Sequence, residues 1–272
     1  MAVIDHPGVA WVTGASKGIG RALALLLAER GWTVAASARG EAELREMTRH
    51  ASAPGRIVPF VLDITDPKAV ADTARLVVAE LGPIDLAILN AGTYVPTPAH
   101  AFDRATVAKL VDVNLMGTVN CLEVLLPRFL VRGGGEIAVV ASMTGYRGLP
   151  TAAGYGATKA ALINLSEALR PELELGGVSL RLINPGFVDT PLTRLNEFPM
   201  PFMISSRRAA ETIVRGIRTS RFEITAPRRM AVLMKLLRIL PNRLFLTIVR
   251  RVTPKPPGGL PSSDKTKVIE QP

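Results

Sequence analysis

From residue 9 onward the chain alternates short apolar runs with stretches long enough for helices, and that alternation restricts the fold more than any other property of the sequence. The runs are Val9 to Val12, Thr33 to Ala38, Ile57 to Leu62, Leu86 to Leu89, Ile137 to Ala141 and Ser179 to Ile183. Strands that are apolar on both faces must be covered on both faces. This predicts a parallel sheet with a helix in each crossover, the doubly wound α/β class. With 272 residues and 48% hydrophobic content, the chain can bury one large core. The expected organisation is a single α/β domain over 1–227, a basic helical segment over 228–252 and a disordered tail over 253–272.

Ligands of such sheets bind beyond the carboxyl ends of the strands, where the strand order reverses. Four motifs stand at such ends. Thr13-Gly14-Ala15-Ser16-Lys17-Gly18-Ile19-Gly20 follows Val12, Asn90-Ala91-Gly92 follows Leu89, Ser142 follows Ala141, and Pro185-Gly186 follows Asn184. In the first, glycines between a strand and a helix let the backbone N–H groups and the positive helix end approach a pyrophosphate. It is not a P-loop, because no Gly-Lys-Ser/Thr triplet closes it. The second strand ends in Ser37-Ala38-Arg39, where an NAD site would place an acid. A guanidinium there, with Lys17 as a second cation, fits a 2′-phosphate, so the predicted cofactor is NADP(H). Tyr155 and Lys159 lie at i and i+4 on one helix face, thirteen residues after Ser142. The expected consequence is an ammonium that lowers the pKa of the neighbouring phenol and makes it useful for proton transfer.

These motifs in this order resemble the short-chain dehydrogenase/reductase family over residues 9 to 225. The resemblance implies a Rossmann-like sheet and assigns the glycine loop (Gly14, Ser16, Lys17, Gly18, Ile19, Gly20) and Arg39 to the nucleotide. Asp63 with Ile64 would face the adenine, and Asn90, Ala91 and Gly92 would brace the strand ends. Pro185, Gly186, Val188 and Thr190 would hold the nicotinamide carboxamide. It implies a catalytic group of Asn114, Ser142, Tyr155 and Lys159. Tyr155 would be the acid/base, Ser142 the anchor of the same substrate oxygen, Lys159 the ligand of the nicotinamide ribose, and Asn114 the holder of a proton-relaying water. The implied function is hydride transfer between NADP(H) and a carbonyl or secondary alcohol, with reduction favoured by analogy. Pairing through helices containing Asn120 to Leu130 and Ala160 to Leu173 would give a homodimer or homotetramer. Two alternatives stay open: a nucleotide-sensing binding module, and a soluble small-ketone reductase whose tail only mediates oligomerisation.

The remaining features bear on partners. Cys121 sits in an apolar stretch and reads as a core residue, and His6, His50 and His100 show no ligand spacing, so no metal is expected. The amino terminus lacks the pattern of a secretion signal, which predicts a cytoplasmic protein. By the same resemblance residues 191–204 look like a substrate lid, in which Phe198, Met200, Phe202 and Met203 would offer an apolar wall for an apolar ketone or alcohol. The net charge of +10 is concentrated at the end: residues 228–272 carry ten Lys/Arg against two acids, and no acid lies between Glu223 and Asp264. Lys235, Arg238 and Asn242, then Arg243, Thr247, Arg250 and Arg251, recur at helical spacing on either side of Pro241. Two amphipathic helices with a basic face opposite an apolar one are expected there. They suit an anionic membrane surface, or alternatively contact with the body or a sister subunit. The large apolar face argues against nucleic acid.

Overall fold

The structure, a computed structural model, describes residues 3–49, 54–195 and 200–253. The chain runs β1 (Val9–Thr13), α1 (Gly18–Glu29), β2 (Thr33–Ala38), α2 (Glu41–Arg49), β3 (Arg56–Val61), α3 (Pro67–Leu81) and β4 (Ile84–Leu89). It continues with α4 (Arg104–Leu110), a π-helical turn (Val111–Met116), α5 (Gly117–Arg132), β5 (Glu136–Val140), α6 (Ala153–Leu175) and β6 (Ser179–Pro185). Then come β7 (Val188–Asp189), β8 (Ile204–Ser205), α7 (Ser206–Ile217), β9 (Glu223–Ala226), α8 (Arg228–Ile239) and α9 (Asn242–Val252). Seven strands form one parallel sheet in the order β3-β2-β1-β4-β5-β6-β9. The fold is a single-domain, Rossmann-like α/β sheet flanked by helices, as the apolar runs predict.

The strands alternate their side chains between two cores. Trp11, Leu89, Ile137 and Val139 face the layer of α3, α5 and α6. Val12, Ile88, Ala138 and Val140 face the layer that contains Leu23 and Leu27 of α1 and Ile213 of α7. Cys121 is buried in the first core, as expected of a small apolar residue, and burial pushes its thiol up to about 12. Helix starts follow the local chemistry. Asp66 caps α3 by accepting from the N–H groups of Lys68 at 2.9 Å and Ala69 at 3.1 Å, and Pro67 opens the helix without losing a bond.

All six expected strands are present, shifted by at most two residues at an end. The seventh in the sheet, β9, was not anticipated. It is four residues long, buries only Ile224 and Ala226, and pairs with β6 alone, so it lacks the double-faced apolar signature that betrayed the others. The short parallel pair of β7 with β8 was also unforeseen, and it joins the two ends of the expected lid. Phe198 and the rest of 196–199 lie outside the described residues, as do His50 and the stretch 254–272, which contains all of the expected tail but Thr253.

Helices α8 and α9 are separated at Pro241, and α8 departs from a simple basic-against-apolar pattern. Met230, Ala231 and Met234 are buried in the first core, so α8 packs on the body through one stripe and exposes Val232, Leu233, Leu236 and Ile239 on the other. Arg147 fastens the junction. Its guanidinium donates to the carbonyls of Leu237 (3.1 Å), Arg238 (2.8 Å) and Leu240 (2.8 Å) and to Asn242 Oδ1 (2.6 Å), and stacks 4.0 Å from the Phe245 ring centre. These bonds satisfy carbonyls that the end of a helix leaves without partners. Arg147→Ala is expected to loosen the pair by about 1–3 kcal/mol. Hydrogen exchange should quicken over 228–252 while the strands β1 to β6 keep their protection; unchanged exchange in α8 and α9 would refute the latch.

Candidate active site

The cleft lies above the carboxyl ends of β1 and β4, where the strand order reverses, and encloses about 510 Å³. It is lined by Gly14, Ser16, Lys17, Gly18, Ile19, Arg39, Asp63, Ile64, Asn90, Ala91, Gly92, Ser142, Tyr155, Lys159, Pro185, Gly186, Val188 and Thr190. Of the site residues expected from the sequence, only Gly20 and Asn114 do not line it. Gly20 is buried under the loop, and Asn114 is fully buried behind the wall.

The glycine loop is shaped by close approach. Gly14 has φ +64°, and a Cβ there would stand 2.7 Å from the Cα of Ala91. The same junction is cross-braced: Asn90 Nδ2 donates to the carbonyls of Thr13 (3.0 Å) and Gly14 (3.2 Å), while Thr13 Oγ1 accepts from the N–H groups of Asn90 (3.0 Å) and Ala91 (3.1 Å). The side chain of Asn90 is thus committed to holding the loop. Helix α1 begins without a side-chain cap, so its opening N–H groups and positive end are left to the cleft. That uncapped end, the tight glycine turn and the paired loops at both sides fit an extended dinucleotide.

At the β2 end, Arg39 and Asp63 face the cleft together. Desolvation raises the Asp63 carboxyl, but hydrogen bonds from Thr65 N (3.0 Å) and Oγ1 (2.8 Å) and the Arg39 charge outweigh it and hold the group below its ordinary value. Lys17 is not a free second cation: it pairs with Glu43 at 3.2 Å, and Glu43 itself lines the cleft. The second strand therefore does have a carboxylate nearby, supplied by α2, which a search limited to the strand end overlooks.

At the other end, Tyr155, Ser142 and Lys159 converge. Ser142 and Tyr155 line the same wall of the cleft, and the Ser142 hydroxyl donates to Thr144 Oγ1 at 3.2 Å. It also accepts from Thr144 N at 3.2 Å. The turn carrying it (Met143–Gly145) rests directly on α6, since a Cβ on Gly145 would lie 2.7 Å from the backbone of Lys159. Asn114 sits in the π-helical turn; its Oδ1 accepts from Thr93 N (2.7 Å), and its Nδ2 donates to Thr93 O (3.0 Å) and Thr158 Oγ1 (3.2 Å). These bonds fix a strap over the start of α6. Along it, Tyr94 meets the Tyr155 ring edge-on at 5.2 Å between centres, and Thr97 accepts from Gly154 N at 2.9 Å. The sequence reading missed Tyr94, Thr97, Gly145 and Glu43. Only the two that follow Asn90-Ala91-Gly92 closely in sequence carried any signal.

The electrostatics correct the expectation of an acidified phenol. Lys159 Nζ lies 5.7 Å from the Tyr155 ring centre and donates to Val140 O at 2.9 Å. Burial pushes Tyr155 up to about 12, against the bond from Ser142, and burial pulls Lys159 down from 10.5 to about 8. Desolvation dominates both groups, and the neighbouring Tyr94 pushes the Tyr155 phenol further up. A buried lysine whose folded pKa is depressed destabilises the fold in full below about pH 8, and this penalty fades as pH rises toward 10.5. Lys159→Met is therefore expected to gain about 1–2 kcal/mol of stability in urea near neutral pH, after the lost bond to Val140 is offset. The gain should vanish near pH 10; a variant that is less stable at both would contradict the burial argument.

The chain matches the short chain dehydrogenase family over residues 8–198. It is 39% identical over 244 residues to an uncharacterized oxidoreductase of Myxococcus xanthus, covering 89% of this chain and 96% of the relative. Its fold superposes on a short-chain dehydrogenase from Streptomyces avermitilis with a TM-score of 0.75 at 24% identity, over 90% of this chain and 97% of the other. It also superposes on an alcohol dehydrogenase from Thermococcus sibiricus, solved with 5-hydroxy-NADP, with a TM-score of 0.73 at 24% identity over 81% and 96%. The sheet order, the braced glycine loop and the converging Ser142, Tyr155 and Lys159 agree with that match: the chain belongs to the short chain dehydrogenase family and is an oxidoreductase of that type.

Proposed function

We propose that the protein is an NADP(H)-dependent carbonyl reductase acting on an apolar ketone, or on the corresponding secondary alcohol in reverse. The observation that carries this reading is the meeting of Ser142, Tyr155 and Lys159 in one cleft with the braced glycine loop. Bound nicotinamide would supply the hydride to the carbonyl carbon. The chain does the rest. Tyr155 donates its proton to the carbonyl oxygen as that oxygen becomes an alcohol, and burial keeps the phenol in the protonated form this step needs at neutral pH. Ser142 donates to the same oxygen and holds it in line. Lys159 binds the ribose and, through the relay, returns a proton to the Tyr155 phenolate left by that transfer. A Cβ on Gly92 would lie 3.2 Å from Asn114 Oδ1 and 3.6 Å from Lys159 Nζ, so the glycine leaves room between them for a relaying water.

Arg39 supports the choice of NADP(H), since it lines the adenosine end and its charge is felt by Asp63. The Lys17–Glu43 pair is exposed, and such pairs contribute about 0–1 kcal/mol, so a phosphate can displace the carboxylate from Lys17. Pro191, Leu192 and Val113 on the cleft wall favour an apolar substrate. Phe202 and Met203 stand exposed and do not line the cleft, so the apolar character rests on these three. Leu130 and Val131 on α5 and Leu175 on α6 are exposed, which suits a homodimer or homotetramer paired through those helices.

Tyr155→Phe is expected to retain NADPH binding by fluorescence and to lose about 10²–10⁴-fold in kcat with a ketone substrate; near-normal turnover would remove Tyr155 from the role. For the cofactor, Glu43→Gln should free Lys17 and raise the NADPH over NADH preference in kcat/KM by about fivefold. Arg39→Ala combined with Lys17→Ala should collapse it, and a preference indifferent to all three changes would refute the 2′-phosphate assignment.

A further inference from the structure

The outer face of the C-terminal helix pair plays no part in the cleft. On α8 the buried stripe of Met230, Ala231 and Met234 leaves Leu233, Leu236 and Ile239 on the opposite side, with Ile239 77% exposed. On α9 Phe245 is buried, whereas Leu244, Leu246, Ile248 and Val252 are exposed, Val252 to 69%. Helical spacing gathers Arg243, Arg250 and Arg251 on the remaining side of α9. The pair carries seven Lys and Arg between residues 228 and 251 and no acid. Among the described residues, Lys235 is the only one of the seven in an ion pair, with Glu223.

We propose that α8 and α9 form a docking surface for an anionic lipid bilayer. The exposed leucines and isoleucines enter the boundary between headgroups and acyl chains, and the arginines pair with lipid phosphates around them. Charge complementarity selects this occupant. A second copy of the chain would bring seven cations against seven with no carboxylate on either helix to pair them. Because Arg147 and the buried methionines already hold the pair in place, docking requires no folding of the helices on the membrane.

Flotation of the full-length protein with vesicles of equal parts phosphatidylglycerol and phosphatidylcholine, against phosphatidylcholine alone, tests this. Wild type should float with the anionic vesicles at low salt and not with the neutral ones. Combined Arg243→Gln, Arg250→Gln and Arg251→Gln should lower partitioning by about a hundredfold. Combined Leu244→Gln, Leu246→Gln and Ile248→Gln should lower it at least about tenfold. Both sets lie on exposed positions, so circular dichroism and the melting temperature should be unchanged. Wild type that stays off anionic vesicles, or binds neutral ones equally, overturns the proposal. So does an apolar variant that turns an oligomer into a monomer while vesicle partitioning is unaltered, because the face would then be a contact between copies.

Discussion

The tips of β1 and β4 are tied together by Thr13 and Asn90, and the cleft exists because that tie holds. The two strands pair in the middle of the sheet where the crossovers part in opposite directions, which opens a gap above their carboxyl ends. A gap alone binds nothing. Two bonds from the Asn90 amide and two to the Thr13 hydroxyl set the glycine turn against Ala91, and that turn delivers the uncapped start of α1 to the cleft. Asn90 is therefore a positioning residue that acts on the cleft through the backbone it holds.

The reactive end depends on burial in a different sense. A lysine and a tyrosine enclosed together are each pushed toward their neutral forms, the amine down and the phenol up. At neutral pH the lysine of this pair opposes folding, and it persists because α6, the Ser142 turn and the Thr93 to Thr97 strap over-determine its position. The same enclosure holds the Tyr155 phenol above its ordinary value and so protonated at neutral pH. On the proposed reading, the stability lost at Lys159 accompanies a protonated phenol enclosed beside it.

The loop that carries Ser142 reaches further than the cleft. Five residues on, Arg147 collects the open carbonyls at the end of α8 and stacks on Phe245 of α9, so one short loop supports both the serine and the helix pair. The basic, apolar exterior of that pair is thereby mounted rigidly on the catalytic body.

The sheet was legible in the sequence because strands covered on both faces must be apolar throughout, and Val9 to Val12 or Ile137 to Ala141 announce this without any knowledge of their neighbours. The site motifs were legible for a related reason: glycines at a strand end and a tyrosine one turn from a lysine are local patterns with local geometry. β9 was not, since Glu-Ile-Thr-Ala acquires its meaning only by lying beside β6. Nor could local pattern show that Glu43 reaches back to Lys17, that Tyr94 and Thr97 strap α6, or that Met230 and Met234 turn inward. The sequence by itself determined the class of fold, the edge on which the cleft opens and most of the residues that line it. Tertiary structure alone decided the partners of those residues and the direction in which their pKa values move, because desolvation and ion pairing depend on what distant segments place around a group, and periodicity along the chain contains no record of that.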